Sequence, residues 1–353
     1  MAAVSIKEVA ARAGVSIGTV SNVLNRPETV TETNRLRVQE AIEELGYVRN
    51  ESARQLRMGR SRFLALVVLD IANPFFTELA RGAELTAEAG GHTLLLCSSA
   101  EDLARERRHL EVLRQQRVAG IVLSPVDTSE ERLAELRRLD VPLVLLDRSD
   151  PDGPTPSVSV DDVEGGRLAV AHLLAAGHRH IAVVGGPRGF LQVDHRMQGA
   201  RRAVADAGLP PETLVEVEVP AMHLENGRAI GATLDSWGRP DRPTAVFCLN
   251  DLLALGVLQE VVQRGLKVPD DLALVGYDDI DFAAAATVPL TSVRQPTDLL
   301  GRSAVELLLQ RAAADAAGAT ADRTVDVRDD LPVVVPDRQV VYLPELVVRA
   351  SSS

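Results

Sequence analysis

The stretch Ser5-Ile-Lys-Glu-Val-Ala-Ala-Arg-Ala-Gly-Val-Ser-Ile-Gly-Thr-Val-Ser-Asn-Val-Leu-Asn25 reads as two short helices around a tight turn. Ser5 and Glu8 have the spacing of a capping box, in which each side chain satisfies a backbone N–H that the first helical turn leaves free. Ile6, Val9, Ala10 and Ala13 then recur at helical spacing. Gly14 suits the left-handed residue that ends a helix, and Ser16 suits the cap of the next one. Val20, Val23 and Leu24 form that helix's inner face. A third helix is expected from Thr31 to Leu45, closed by Gly46, so residues 1–47 make a three-helix head. Helix, glycine turn, helix is the geometry that sets a second helix into the major groove of DNA.

The charge of the whole chain argues the other way until it is divided. At 353 residues the net charge is −12, which does not favour polyanions. Residues 1–62 hold ten Lys/Arg against seven Asp/Glu, a balance of +3, and the remaining 28 against 43 give −15. The head supplies local attraction for phosphate while an acidic body limits indiscriminate sticking. No apolar run approaches the roughly 20 residues that span a bilayer. The chain opens on a capped helix instead of a signal peptide, and Cys97 and Cys248 lie far apart in apolar runs. Reduced thiols and a cytoplasmic protein are the expectation.

Residues 48–61 are polar and Arg-rich and read as linker and hinge. From Arg62 onward, apolar runs alternate with amphipathic helices. Strands are expected at Leu64–Leu69, Thr93–Cys97, Gly120–Leu123, Val141–Leu146, Ile181–Val184, Ala245–Leu249 and Leu272–Val275. Helices are expected at Phe76–Ala89, Ala104–Arg117, Val163–Ala176, Arg196–Ala207, Leu252–Arg264 and Leu299–Ala313. Continuous apolar strands separated by helices imply parallel sheets covered on both faces. The segment Asp150-Pro-Asp-Gly-Pro-Thr-Pro156 breaks the rhythm, and the Asp-, Ala- and Thr-rich stretch Ala312–Arg338 is expected to be a surface loop.

In such sheets ligands bind beyond the carboxyl ends of the strands. Polar residues fall at those ends: Asp70 and Asn73, Ser98, Ser124, Asp147-Arg148, Asn250-Asp251 and Asp278. Helix caps explain some of them. The mixture of carboxylates, amides and a guanidinium with Phe75 and Phe76 nearby is also what a sugar needs, because hydroxyls both donate and accept and the C–H face of the ring lies against an aromatic.

The head resembles the lactose/galactose repressor family of bacterial transcription regulators. The resemblance runs on through Asn50-Glu-Ser-Ala-Arg-Gln-Leu56, matching the family's hinge helix, to Tyr342-Leu-Pro-Glu-Leu-Val-Val-Arg349. It implies an all-α helix-turn-helix head on an α/β, periplasmic-binding-protein-like body of two doubly wound parallel-sheet subdomains. The body spans residues 62–350, one subdomain holding about 62–160 and 296–335, the other about 161–295 and 336–350. It implies a repressor that binds double-stranded operator DNA as a homodimer, or a tetramer, and answers to a small sugar effector. Ile17 and Gly18 then decide base preference. Asn22 reaches adenine, and Ser16, Thr19, Ser21 and Asn25 contact phosphate. Asn50 caps a hinge helix whose Ala53 and Leu56 enter the minor groove, Leu56 as a wedge. A hinge of about seven residues is far below the roughly 12–15 that hold a helix in water, so it is expected to fold only on DNA.

The set Asn73, Phe75, Phe76, Asp147, Arg148, Arg196, Asn250, Asp278 and Gln295 resembles the ligand shell of ribose-binding proteins and ribose repressors, with His223 or Met222 where an aromatic is expected. That implies ribose or a related pentose, and leaves other sugars and nucleobases open. A free sugar receptor shares such a body but needs no DNA head. A nicotinamide enzyme needs a glycine fingerprint, which Gly185-Gly-Pro-Arg-Gly189 does not supply. No cofactor or metal is expected, the histidines His172, His178 and His180 reading as strand-edge residues.

Overall fold

The computed structural model describes residues 4–47, 61–148, 155–234, 242–317, 333–334 and 339–353. The chain divides into two compact units, Met1–Arg60 and Ser61–Ser353. In the first, α1 (Ile6–Ala13), α2 (Ile17–Asn25) and α3 (Glu32–Leu45) enclose a small core of Val9, Ala10, Ala13, Val20, Val23, Val38 and Ala41. The Ser5–Glu8 capping box is formed, with the Ser5 N–H donating to Glu8 Oε2 at 2.7 Å. Gly14 and Gly46 end their helices at φ 64° and 60°, the region where a side chain costs most.

The second unit continues with β1 (Phe63–Val68), α4 (Pro74–Ala89), β2 (Thr93–Ser98), α5 (Leu103–Gln115), β3 (Gly120–Leu123), α6 (Glu130–Arg137), β4 (Leu143–Leu146) and β5 (Ser157–Val160). It then runs through α7 (Asp162–Ala175), β6 (Ile181–Gly185), α8 (Leu191–Asp206), β7 (Leu214–Glu218), α9 (Leu224–Thr233), β8 (Ala245–Cys248), α10 (Asp251–Gln263) and β9 (Ala273–Asp278). The last elements are α11 (Asp281–Ala285), β10 (Thr291–Arg294), α12 (Thr297–Ala317), β11 (Val333–Val334), β12 (Gln339–Tyr342) and β13 (Glu345–Val347). Two sheets result, in the orders β11-β12-β5-β4-β3-β1-β2 and β13-β10-β9-β8-β6-β7. Their pairing is parallel except at β11/β12 and β10/β13. Each sheet carries helices on both faces and forms one lobe.

The chain passes between the lobes after β5, after β10 and after β12. The expectation that residues 336–350 lie in the second lobe is corrected here: Gln339–Tyr342 pairs with Ser157–Val160 in the first sheet, and only Glu345–Val347 pairs in the second. Val340 and Tyr342 are buried in the first lobe's core, which fixes the placement. The loop expected at Ala312–Arg338 is also corrected at both ends, since α12 runs to Ala317 and β11 occupies Val333–Val334. Alanine is the best helix former, so Ala312-Ala-Ala-Asp-Ala-Ala317 continues the helix. The linker and hinge at 48–61, with Asn50, Ala53 and Leu56, lie outside the described residues apart from Ser61.

Glycines set the closest helix contacts. A Cβ on Gly166 of α7 would lie 2.0 Å from the Arg196 carbonyl oxygen, and one on Gly199 of α8 would lie 1.9 Å from that of Val163. Helices α7 and α8 therefore touch backbone to backbone, which fixes where α8 holds Arg196.

Candidate functional site

The head presents a polar helix end. Ser16 caps α2, accepting from the Thr19 N–H at 3.0 Å, and its hydroxyl lies 2.9 Å from that of Thr19. Ile17, an apolar residue, is 45% exposed beside them. Gly18 and Asn22 are also exposed, whereas Val20 and Val23 of the same helix face the core. A Cβ on Gly18 would meet only Ser16 Oγ, at 3.6 Å, so no packing inside the head demands glycine there. At the far end Asn25 Nδ2 donates to the Ser21 carbonyl at 2.7 Å and secures the last turn.

In the body, strand ends of both lobes converge on a cleft lined by Leu69, Asp70, Asn73, Phe75, Phe76, Glu101, Asp147, Phe190, Gln192, Arg196, Met222, His223, Asn250 and Asp278. Seven of the nine residues expected from sequence are among them. Arg196 is the centre. Its Nε donates to Asp162 Oδ1 at 2.8 Å, its Nη1 donates to the Leu249 carbonyl at 2.6 Å and lies 3.8 Å from Asp278 Oδ1. The guanidinium carbon sits 3.7 Å above the Tyr277 ring centroid, a cation–π contact. Burial opposes this charge, but Asp162, Tyr277 and Asp278 hold the pKa above its ordinary value.

The carboxylates are displaced in turn. Burial pushes Asp147 up to about 7; Asp162 and Asp278 add to the rise and Arg196 opposes it. Asp278 rises to about 6 through burial, restrained by Arg196 and by hydrogen bonds from Asn73 and Gln295. Asp147 and Asp278 take φ of 56° and 109°, uncommon for non-glycine residues and frequent where backbone strain serves a site. Phe75 and Phe76 pack edge to face with centroids 5.0 Å apart and give the cleft an aromatic wall.

Two expected residues stand elsewhere. Gln295 lies behind the cleft, donating through Nε2 to Asp278 Oδ1 at 2.8 Å, so it orients a lining carboxylate without lining the cleft itself. Arg148 is turned toward α6, with Nη2 3.9 Å from Glu130 Oε1. The left-handed backbone at Asp147 sends the two successive side chains apart. Asn250 also serves structure: Oδ1 caps α10 through the Leu253 N–H and Nδ2 donates to the Met222 carbonyl, each at 2.9 Å.

Sequence reasoning missed Phe190 and Gln192, because it started the helix at Arg196 and α8 begins at Leu191. Phe190 adds an aromatic to the lining from the start of α8, and Met222 and His223 of the segment where one was expected also line the cleft. Asp162 and Tyr277 were missed as well; the Tyr277 hydroxyl donates to Asp162 Oδ1 at 2.8 Å and completes the frame around Arg196. Of the three histidines expected at a strand edge, His178 and His180 stand just before β6 and bond Thr244 and the Arg242 carbonyl, whereas His172 lies on α7 and bonds Ser352, a correction to that expectation.

The chain matches the family model "Bacterial regulatory proteins, lacI family" over residues 5–50 and "Periplasmic binding protein-like domain" over residues 170–352. It is 37% identical over 311 residues to the HTH-type transcriptional repressor PurR of Aliivibrio fischeri (strain MJ11), covering 87% of this chain and 91% of the relative. It is 36% identical over 308 residues to the ribose operon repressor of Escherichia coli (strain K12), covering 87% and 92%. Among solved structures it is similar to the Lac repressor dimer bound to operator and the anti-inducer ONPF, with a TM-score of 0.80, 27% identity and 99% of each chain covered.

Proposed function

Because the chain belongs to the lacI family of bacterial regulatory proteins, and is therefore a DNA-binding repressor controlled by a small-molecule effector, we propose that the effector is a sugar, ribose or a related pentose, held by Asn73, Phe75, Phe76, Asp147, Arg196, Asn250 and Asp278. The observation that carries this is the framed guanidinium of Arg196 among carboxylates, opposite a phenyl wall. Ring hydroxyls donate to the carboxylates, accept from the guanidinium and amides, and leave a C–H face for Phe75 or Phe76. The ribose operon repressor among the relatives supports the pentose. A nucleobase is the second reading, favoured by three phenyl rings, Phe75, Phe76 and Phe190, that suit a flat ring.

On the DNA side, α2 enters the major groove by its N-terminal end. Ile17 meets a thymine methyl, Gly18 lets the backbone approach, and Asn22 bonds adenine N6 and N7. Ser16, Thr19, Ser21 and Asn25 hold phosphates. Two copies acting as a homodimer read a two-fold operator, and the hinge residues Asn50, Ala53 and Leu56 bind the minor groove between the half-sites. The protein works by binding, in the cytoplasm where the DNA is, and its carboxylates are hydrogen-bond acceptors with no bond-breaking step assigned to them.

Control follows from linkage. Sugar favours one relation of the two lobes, operator favours another, and each changes the other's affinity by the same factor. A thermal-shift screen of pentoses, hexoses and nucleobases tests the effector, since a ligand bound only by the folded state raises its melting temperature. A pentose that stabilises wild type but not Arg196→Ala supports the reading. Arg196→Ala leaves Asp162 without its ion pair and risks misfolding, so Asn73→Ala is the second variant. Stabilisation by bases and by no sugar defeats the pentose.

A further inference from the structure

Among the described lining residues Arg196 is the one with a permanent positive charge, set against four acids. Its charge is balanced by its own frame: Asp162 takes Nε, the Leu249 carbonyl takes Nη1, Asp278 lies beside it and Tyr277 covers one face. His223, from the segment before α9, stands at the mouth with Nδ1 4.0 Å from Asp70 Oδ2 of the opposite lobe. Glu101 lines the same mouth, held by a left-handed backbone at φ 58° next to Ala100 at φ 50°. The remaining charged lining residues, Asp70, Glu101, Asp147 and Asp278, are all acids. Of the helix N-termini at the cleft, those of α4 and α10 are capped by side chains, while α8 and α9 start at Phe190 and His223 without one. Asn73 Oδ1 accepts the Phe75 N–H of α4, and Asn250 Oδ1 accepts the Leu253 N–H of α10.

We infer that this cleft, if it is the effector site of the reading above, takes an uncharged polyhydroxyl ring and rejects its phosphate esters, and that Asp70 and Glu101 at the mouth are the residues that decide the rejection. A phosphate enclosed here desolvates against a guanidinium whose charge Asp162 and Asp278 already balance, and faces carboxylates within the same small cavity, a combination costly twice over. A hydroxyl in the same place donates to Asp70 or Glu101 and keeps His223 as its acceptor or donor. The surroundings of Glu101 reinforce the contrast, because burial and the neighbouring Asp70 raise its pKa, while His223 lowers it.

The test measures binding to the full-length protein by calorimetry and thermal shift, using matched pairs: ribose and ribose 5-phosphate, glucose and glucose 6-phosphate, adenosine and adenosine 5′-monophosphate, with inorganic phosphate against sodium chloride of equal ionic strength. The expected result is one neutral compound that binds and an ester of it that binds at least about 100-fold more weakly, as like-charge contacts of several kcal/mol require. Glu101→Gln and Asp70→Asn, which keep shape and remove charge, are expected to narrow that ratio to about 10-fold or less. Fold integrity of each variant is read from its melting temperature without ligand. A neutral hexose or nucleoside that binds in place of ribose defeats the pentose reading and leaves the inference standing. An ester that binds as tightly as its parent, or stabilisation by inorganic phosphate, overturns the inference and leaves the sugar reading standing. A ratio untouched in both well-folded variants removes the role assigned to Asp70 and Glu101. A panel in which nothing binds overturns both.

Discussion

Asn73 Nδ2 lies 3.2 Å from Asp278 Oδ2 and so joins the cap of α4 in the first lobe to the end of β9 in the second. The same side chain accepts the Phe75 N–H through Oδ1 at 3.1 Å. One amide thus starts the helix that carries the phenyl wall and ties that helix to the opposite lobe's carboxylate. Asp278 in turn is braced by Gln295 and lies beside Arg196. The two lobes are therefore connected through groups that also line the cleft, so a ligand cannot enter without renegotiating the contact.

The first prediction follows from that link. Asn73→Ala removes a cap worth roughly 1 kcal/mol and a bond to a charged group worth about 1.5–3 kcal/mol. Effector affinity is expected to fall at least about 10-fold while operator affinity without effector is retained, read by calorimetry and by gel shift on the same preparation. Equal effector affinity in the variant refutes the bridging role.

The second concerns the glycine contacts. Gly166→Ala places a methyl 2.0 Å from the Arg196 carbonyl, backbone that cannot yield as a side-chain end does. Overpacking of this kind costs about 1–3 kcal/mol or more, so a loss of at least about 3–5 °C in melting temperature is expected for a body of this size. Displaced α8 also moves Arg196, so effector affinity falls with stability. A variant with wild-type melting and wild-type binding contradicts the close packing of α7 on α8.

The head's architecture was legible because its signals are local. Ser5 with Glu8, Gly14, Ser16 and Gly46 are start and stop marks that sit beside the helices they bound. The central strands were legible because apolar runs such as Leu64–Leu69 and Ala245–Leu249 are buried on both faces. Strands β5, β7 and β10 escaped because Ser157, Ser159, Glu216, Glu218, Thr291 and Ser292 interrupt their apolar content. In β10 the partners of the polar residues are distant: Ser292 donates to Asp251 Oδ1, 41 positions away, and Thr291 to the Arg349 carbonyl, 58 away. The cleft behaved alike. Residues at strand ends were found, but the frame behind Arg196 was not, since Asp162 and Tyr277 meet across 115 positions. The site of the last lobe crossing was misplaced for the same reason, as nothing local tells Gln339–Tyr342 which sheet it completes.

The third prediction separates base reading from fold at Gly18. A methyl there meets only Ser16 Oγ at an ordinary contact distance of 3.6 Å, and alanine is favoured over glycine in an exposed helix by up to about 1 kcal/mol. Gly18→Ala is expected to leave the head as stable or more stable, and yet to change operator preference, because the methyl projects where DNA approaches. Asn22→Ala is expected to cost about 1–3 kcal/mol at sites with adenine opposite it and less elsewhere. Neither change alters the salt slope, which counts phosphate contacts. Binding competitions over randomised operators at two salt concentrations check all three statements, and an unaltered base profile in both variants rejects this face of α2 as the reader.

The fourth prediction rests on Asp147, whose carboxyl is carried from an ordinary 3.8 to about 7 by burial, by Asp162 and by Asp278 against the opposing pull of Arg196. The native state therefore keeps a proton that the unfolded chain releases. Between pH 4 and about 7 the folded form binds more protons, so its stability falls as pH rises through that window. The empty protein is expected to melt several degrees higher at pH 5 than at pH 8, and Asp147→Asn, which cannot ionise, to flatten that difference. Effector binding runs in the opposite direction. A hydroxyl donating to Asp147 needs the carboxylate, and for a group titrating near 7 the ionised fraction drops about 10-fold between pH 8 and pH 6. Effector affinity is expected to fall by about that factor over the same two units, and Asp147→Asn to bind weakly at both. Asp278, raised to about 6, steepens the loss below pH 6. Thermal melts and calorimetry across pH 5–8 on wild type and Asp147→Asn decide the matter: stability and affinity changing in the same direction with pH, or an undiminished pH response in the variant, excludes Asp147 as the titrating acceptor.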